Sequence, residues 1–220
     1  MAKSCQCCGE PIASIKQAEA VVGGLSAPSK MPSFGYSIPA NRCPLGSKLR
    51  KVPGSICSKC YALKGRYLFK NVRDALERRF ESLTDPRWVD AMVYLINTRK
   101  LRHFRWHDAG DLQGVWHLAN IAKVAALTPD CRHWLPTREL RTVGEYLEEH
   151  ERPKNLNIRL SAMAFDKRAP EGFARKRGLT VSGASANGSH NCPAPTQGNS
   201  CGDCRACWDV DTFSISYKQH

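Results

Sequence analysis

Four cysteines near the end of the chain have the spacing of a metal-cluster ligand set. The segment NCPAPTQGNSCGDCRACWD places Cys192, Cys201, Cys204 and Cys207 in the order Cys-x8-Cys-x2-Cys-x2-Cys. Three cysteines at successive two-residue gaps let one tight loop reach three corners of a cubane, with backbone N–H groups turned toward its sulfides. The fourth corner is reached from further away, here by Cys192, and Pro193 stiffens that approach and removes a backbone donor. A second group lies in NRCPLGSKLRKVPGSICSKCYALKG, where Cys43 is followed by Cys57-x2-Cys60. Three thiolates could hold a cluster with one open iron, or take a fourth ligand from Cys5, Cys7, Cys8 or a histidine. They could equally form a small zinc knot that pins the N-terminal region. The early CQCC trio, near a terminus, reads as a poorly ordered segment or a peripheral zinc half-site. Cys131, alone in DCRHWLP, reads as a small buried hydrophobe.

The tail is similar to bacterial ferredoxin sites, which join Cys-x2-Cys-x2-Cys to a more distant Cys-Pro. In this chain the Cys-Pro precedes the triplet. Zinc is the alternative, although structural zinc sites favour two separated Cys-x2-Cys or Cys/His pairs, one for each edge of a tetrahedron. The expectation is a [4Fe–4S] cluster on Cys192, Cys201, Cys204 and Cys207, with zinc or a second cluster on Cys43, Cys57 and Cys60. Ten clustered cysteines exceed the four that one cluster needs.

Polar side chains also gather where strands are expected to end. His107, Asp108 and Asp111 follow HFRW; Thr137, Arg138 and Glu139 follow HWLP; Ser161 closes NIRL. In α/β folds such positions share one rim, where ligands bind. A histidine with two carboxylates could move protons, and Arg138 could fork onto a phosphate or carboxylate. His107, Asp108, Asp111 and Arg138 are therefore ligand-binding candidates. The bland reading is that the two aspartates form a turn and cap the next helix, and that Arg138 and Glu139 are an ordinary ion pair. No catalytic residue is singled out, and no Gly-rich phosphate loop is present. Trp106, Trp116 and Trp134 read as core residues rather than base-stacking platforms.

The elements that must position these groups follow from periodicity. The first 55 residues are rich in Gly, Pro and Ser and are expected to be largely irregular. Leu68, Val72, Leu76 and Phe80 recur every fourth residue and predict a helix over 67–83, and Asp85-Pro86 starts another through PRWVDAMVYLINTRK. From Leu101 on, the strand candidates HFRWH, CRHWLPT, LNIRLSA and GLTVSGA alternate with helical segments, which predicts an α/β fold with a parallel sheet. Four strands are too few for a closed eight-stranded barrel. A partial parallel barrel or an open parallel sheet remains, divided as an irregular region over 1–55, an α/β core over 56–186 and a cysteine-rich segment over 187–220.

Composition sets the context. The 220 residues can bury a core without staples. No run of 18 apolar residues occurs and the start MAKSCQCCGE lacks the apolar core of a signal peptide, so neither secretion nor membrane spanning is expected and the cytoplasm is. In a reducing compartment clustered cysteines point to metal rather than disulfides. The formal charge of +13 attracts polyanions, nucleic acid first, and also favours solubility.

Taken together, CSKCYALKG, FRWHDAGDL, WLPTRE, NIRLSA and CPAPTQGNSCGDCRACW resemble the phage family described as gene-product-eighty-eight-like, from about Cys43 to Asp209. The resemblance implies a phage or prophage protein acting in the host cytoplasm and brings no settled activity with it. Cys57-x2-Cys60-Tyr61-Ala62 is more weakly similar to the end of the cluster motif of radical S-adenosylmethionine enzymes. Pro53 stands where their first cysteine would be. Three readings stay open: an iron–sulfur protein contacting nucleic acid or a host protein, a cluster-dependent redox or radical-type enzyme, and a zinc-stapled binding module.

Overall fold

The computed structural model describes residues 11–165, 167–184 and 189–217. Cys5, Cys7 and Cys8 lie outside them. The core is an all-parallel sheet of seven strands that does not close: β1 (Gly35–Tyr36), β2 (His103–Trp106), β3 (Arg132–Thr137), β4 (Leu156–Ser161), β5 (Thr180–Gly183), β6 (His190–Asn191) and β7 (Ser214–Ser216), in the spatial order β1-β2-β3-β4-β5-β7-β6. Because every pair is parallel, all strand C-termini share one edge.

Alternation along the strands gives the sheet two unlike faces. Phe104, Trp106, Leu135, Ile158, Leu160 and Val181 point to one face and join a continuous apolar core with helices α1 (Ile15–Val22), α4 (Trp88–Thr98), α5 (Val115–Ala126), α6 (Leu140–Glu149) and α7 (Glu171–Lys176). The opposite face is polar. Register places Arg105 beside Trp134, Trp134 beside Asn157, and Arg159 beside Thr180. Two further helices precede α4 in the chain: α2 (Pro44–Leu49) and α3 (Lys70–Ser82).

The expected strands and helices from residue 70 to 183 all form, with boundaries shifted by a few residues. The turn at Gly65–Leu68 is 3-10 rather than α, so Leu68 stays exposed while Leu76 is buried and Phe80 packs on the core. Of the three tryptophans read as core, Trp106 and Trp134 are buried and Trp116 is exposed. Cys131 is buried as expected, and burial pushes its thiol up to about 12.

The stretch before residue 55 is more ordered than its composition suggests. Ser14 caps α1 by accepting from the Gln17 N–H at 3.2 Å, and Gly23 ends it in the left-handed region. Tyr36 of β1 then ties three helices together. Its hydroxyl lies 2.8 Å from the Val22 carbonyl and 2.9 Å from the Arg79 carbonyl, and accepts from Trp88 Nε1 at 3.1 Å. The tail likewise contributes β6 and β7 to the same sheet.

Gly110, in the loop leaving β2, sits at φ +86° with its α-carbon against β1's exit. A methyl there would meet Ile38 Cγ1 at 2.2 Å and the Ile38 carbonyl oxygen at 2.7 Å. The backbone conformation and the clash act together. Gly110→Ala is expected to lose about 2–3 kcal/mol of stability in denaturant titration; a loss below about 0.5 kcal/mol would contradict this packing.

Candidate metal centres at the C-terminal edge of the sheet

The cysteine tail lies across the polar face, and Arg159 of β4 holds it there. Arg159 is fully buried and meets no carboxylate among the described residues. Its Nη1 donates to the carbonyls of Val181 (2.8 Å) and Phe213 (3.3 Å), and its Nη2 to those of Ala206 (3.2 Å), Asp209 (3.2 Å) and Thr212 (3.0 Å). Asn157, two residues earlier on the same face, donates to the carbonyls of Cys207 and Asp209 at 3.0 Å each. Trp208 wedges edge-on against His103 and Trp134 and donates from Nε1 to the Phe104 carbonyl at 2.9 Å.

This anchoring gathers the four tail cysteines. Cys192 follows β6, and its N–H donates to the Ser216 carbonyl of β7 at 2.9 Å; the Cys201 N–H donates to the Lys30 carbonyl at 3.0 Å. Cys204 Sγ lies 3.5 Å from His190 Nε2, and Cys207 Sγ 3.3 Å from the Tyr217 hydroxyl. Burial pushes the Cys201 thiol up, Cys192 and Cys204 push it further, and Lys30 and Arg105 pull it back. Burial pushes Cys207 up to about 11, against the pull of Tyr217, Arg159 and Arg105, with Cys192 adding to the rise. Cys192 thus acts on both Cys201 and Cys207, Cys204 acts on Cys201, and Arg105 acts on both thiols. Thiols held this high ionise when a metal supplies the opposing charge.

The other trio assembles separately, beside the exits of β2, β3 and β4. Cys43 precedes α2, whose start is fixed from β3's exit: Glu139 Oε1 accepts from the Leu45 N–H at 2.7 Å. Cys57 lies within the 3-10 turn Ile56–Lys59 and Cys60 ends it; the turn's cap, Ser55, accepts from the Ser58 N–H at 3.0 Å, while the Ile56 N–H donates to the Met163 carbonyl beyond β4 at 3.0 Å. Gly46 permits the close approach of the two loops. A methyl there would stand 2.8 Å from Cys43 Cβ, 3.5 Å from its sulfur and 3.8 Å from the Cys57 sulfur. Burial pushes Cys43 far up, and Asp111, Cys60, Cys57 and Glu139 act in the same direction. Burial also raises Cys57, opposed first by Arg138.

The four strand-end candidates do different things. Asp111 is a buried clasp: Oδ1 accepts from the Leu112 N–H (2.8 Å) and the Thr137 hydroxyl (2.6 Å), and Oδ2 from the Arg138 N–H (3.0 Å). Asp108 accepts the Tyr67 hydroxyl at 2.7 Å, and its carbonyl accepts from Tyr61. His107 turns inward at φ +55°, its ring edge-on to His117 at 5.2 Å, with neither ring nitrogen hydrogen-bonded among the described residues. Arg138 pulls the Cys57 thiol down against burial, with Arg50 acting the same way and Asp111 the opposite, and its Nε donates to the Ala162 carbonyl at 3.0 Å. His107 and the two carboxylates therefore do not form one proton-transfer group.

Sequence reasoning overlooked Arg105 and Arg159. Burial opposes the charge of Arg105, but Tyr61, Asp108, Tyr217 and Cys207 outweigh it and hold the guanidinium charged. Tyr61 adjoins Cys60 and Tyr217 touches Cys207, so Arg105 acts on the surroundings of both cysteine groups. Its guanidinium also stacks over Trp134 at 4.5 Å. The available signal was the arginine centred between apolar neighbours in FRW and IRL, which alternation turns onto the polar face.

The two donor sets differ from a single-ion site. Among the described residues, no three His, Cys, Asp or Glu side chains converge tightly enough to hold one metal ion. A zinc ion needs thiolates meeting about 2.3 Å from one point. A cubane binds each thiolate through a different iron, so its donors stand further apart. Sulfur donors with cations near them are the chemistry such a group takes.

A family model described as Gene product 88 matches residues 12–210. No curated protein and no solved structure matches the chain. No helix among the described residues is long and apolar enough to cross a membrane.

Proposed function

The chain belongs to the Gene product 88 family of phage proteins, and from the geometry of its tail we propose that it is an iron–sulfur protein acting in the cytoplasm of the phage's host. Cys192, Cys201, Cys204 and Cys207 would carry a [4Fe–4S] cluster. The observation that supports this best is how the sheet holds the cysteine tail: Arg159 and Asn157 bind the carbonyls of Ala206, Cys207 and Asp209, and Arg105 lies near enough to act on Cys201 and Cys207. A cubane with four thiolates carries net negative charge, which those cations offset. When bound, it supplies one-electron chemistry at a potential tuned by hydrogen bonds, charge and exposure. This chain's part is to hold the ligands: Arg159 and Asn157 fix the loop, and Arg105 sets the charge beside it. His190 and Tyr217 lie against two of the sulfurs, where hydrogen bonds would act on the potential.

One observation favours a second reading, a cluster-dependent enzyme. Cys43, Cys57 and Cys60 supply three thiolates at the edge where strand-end loops meet, beside Arg138. Cys43, Cys57 and Cys60 would hold a cluster with a position left for an exogenous ligand, and Arg138 would suit a carboxylate or phosphate on that ligand.

Serine substitution separates the two groups. Cys204→Ser with Cys207→Ser is expected to remove about four iron per chain and leave the iron bound by Cys43, Cys57 and Cys60. Cys57→Ser is expected to do the converse. If the tail pair leaves the iron content unchanged, the tail is not a cluster site. For the enzyme reading, reduced cluster-loaded protein is incubated with S-adenosylmethionine; reductive cleavage supports radical chemistry, and its absence ends that version.

A further inference from the structure

The positive charge of the chain is concentrated in one lobe. Residues 40–79 hold eleven of the 33 Lys and Arg residues but only two of the 20 Asp and Glu, a local excess of nine out of +13. The lobe is compact: α2, the 3-10 turns over 40–68 and the start of α3 contact one another in succession around Cys43, Cys57 and Cys60. Both of its acidic residues are already paired, Glu77 with Arg42 and Asp74 with Lys70. Lys51, Lys64, Arg66 and Arg73 are exposed and have no carboxylate within 4.0 Å among the described residues.

Large apolar side chains stand among these cations. Tyr61, Leu68 and Phe69 are 50%, 56% and 58% exposed, and burying none of them inside the lobe leaves apolar area in water. Tyr61 is held in place by its hydroxyl on the Asp108 carbonyl and by the Tyr67 ring at 5.9 Å. Phe69 precedes α3, next to Arg66 and Arg73 in the same turn region. Unpaired cations tracking phosphates, with aromatic faces between them, are the components of a single-strand platform.

We propose that this lobe binds single-stranded nucleic acid, with phosphates on Lys51, Lys64, Arg66 and Arg73 and bases stacked on Tyr61 and Phe69. A duplex would use the cations but hides its base faces from the aromatic rings. A membrane-seeking surface collects its apolar residues on one face of a long amphipathic helix, whereas these sit on short turns and α2 spans only six residues. The proposal does not depend on which metal the cysteines hold, so it can fail while the cluster reading stands, and the reverse.

The test is fluorescence anisotropy of the full-length, metal-loaded protein with a labelled oligothymidylate of about 20 nucleotides, across a salt series. A duplex of equal length and vesicles of phosphatidylserine and phosphatidylcholine are run alongside. The wild type is expected to prefer the single strand, with affinity falling steeply as salt rises. Lys64→Glu with Arg66→Glu is expected to weaken binding at least tenfold and to flatten the slope of log affinity against log salt by about 1.4, for two phosphate contacts at about 0.7 each. Phe69→Ala is expected to lose about tenfold with the slope unchanged, because stacking releases no counterions. Circular dichroism confirms that both variants are folded. Equal affinity for the duplex, preference for the vesicles, or wild-type binding by both variants would overturn the proposal.

Discussion

Arg159→Ala is expected to destabilise the protein by about 4 kcal/mol and to release the cysteine tail from the sheet. The guanidinium donates to five carbonyls contributed by β5, the 206–212 turns and the approach to β7. Bonds from a charged donor are each worth about 1.5–3 kcal/mol, and their loss leaves buried acceptors without partners. They are not additive, which is why the expected total lies well below their sum. Burial alone makes this arginine easier to deprotonate, offset in part by Tyr217, Cys207 and Asp209. Negative charge on the tail sulfurs would stabilise it further, so cluster and arginine should support one another. Guanidinium chloride titration reads the loss in stability, and limited proteolysis after residue 200 reads the release. Arg159→Lys keeps the charge but not the fork and should fall between the two. A loss under about 1 kcal/mol for the alanine variant would mean that the tail is held by something else.

Acid is expected to unfold the protein well above the pH at which carboxylates protonate. His107, His117 and His133 are almost fully buried, and burial drives all three below the ordinary histidine value: His107 well below it, His117 and His133 to about 3. His107 is pushed down further by His117 and Arg105. Each ring is neutral in the folded protein and becomes charged in the unfolded chain below about 6.5. The unfolded state thus binds the extra protons, and stability falls as pH falls from about 6.5 toward 3. Each histidine contributes about 1.4 kcal/mol per pH unit in the lower part of that window, and three contribute about 4. That is a large share of the 5–15 kcal/mol typical of a folded domain. Denaturant midpoints measured from pH 7.5 to 4.5 should show this slope. His117→Leu removes one titrating ring, at the cost of the acceptor for the Gln113 N–H, and should flatten the slope by about a third. A slope unchanged by that substitution would place the acid sensitivity elsewhere.

The readable part of the fold was the part governed by local periodicity. β2 to β5 each carry alternating or continuous apolar runs long enough to show a pattern, and the helices between them carry an apolar face. β1, β6 and β7 are two, two and three residues long, too short for a period to register, and only pairing with an existing sheet makes them strands. The Gly- and Pro-rich sequence that follows IKQAEAVV masks α1, although Ser14 and Gly23 are ordinary caps. At the candidate site, cysteine spacing alone pointed to both groups. What it could not convey was that Arg159 reaches residues 47 to 54 positions ahead along the chain, or that Arg105 stands between the two groups. Those are consequences of the sheet's register. The strand-end residues were placed on the correct edge, but Asp111 is engaged by N–H groups from two loops and His107 turns toward α5, distinctions set by loop conformation.

The most direct test of the cluster reading is the metal and sulfide content of protein purified without oxygen, with its visible spectrum taken on the same sample. The reading predicts a brown protein carrying about four iron and four acid-labile sulfide for each cluster, bleached by Cys204→Ser with Cys207→Ser to the extent that the tail holds it. A colourless protein with one or two zinc per chain, unchanged by anaerobic reconstitution with iron and sulfide, would contradict it and make the two cysteine groups zinc staples.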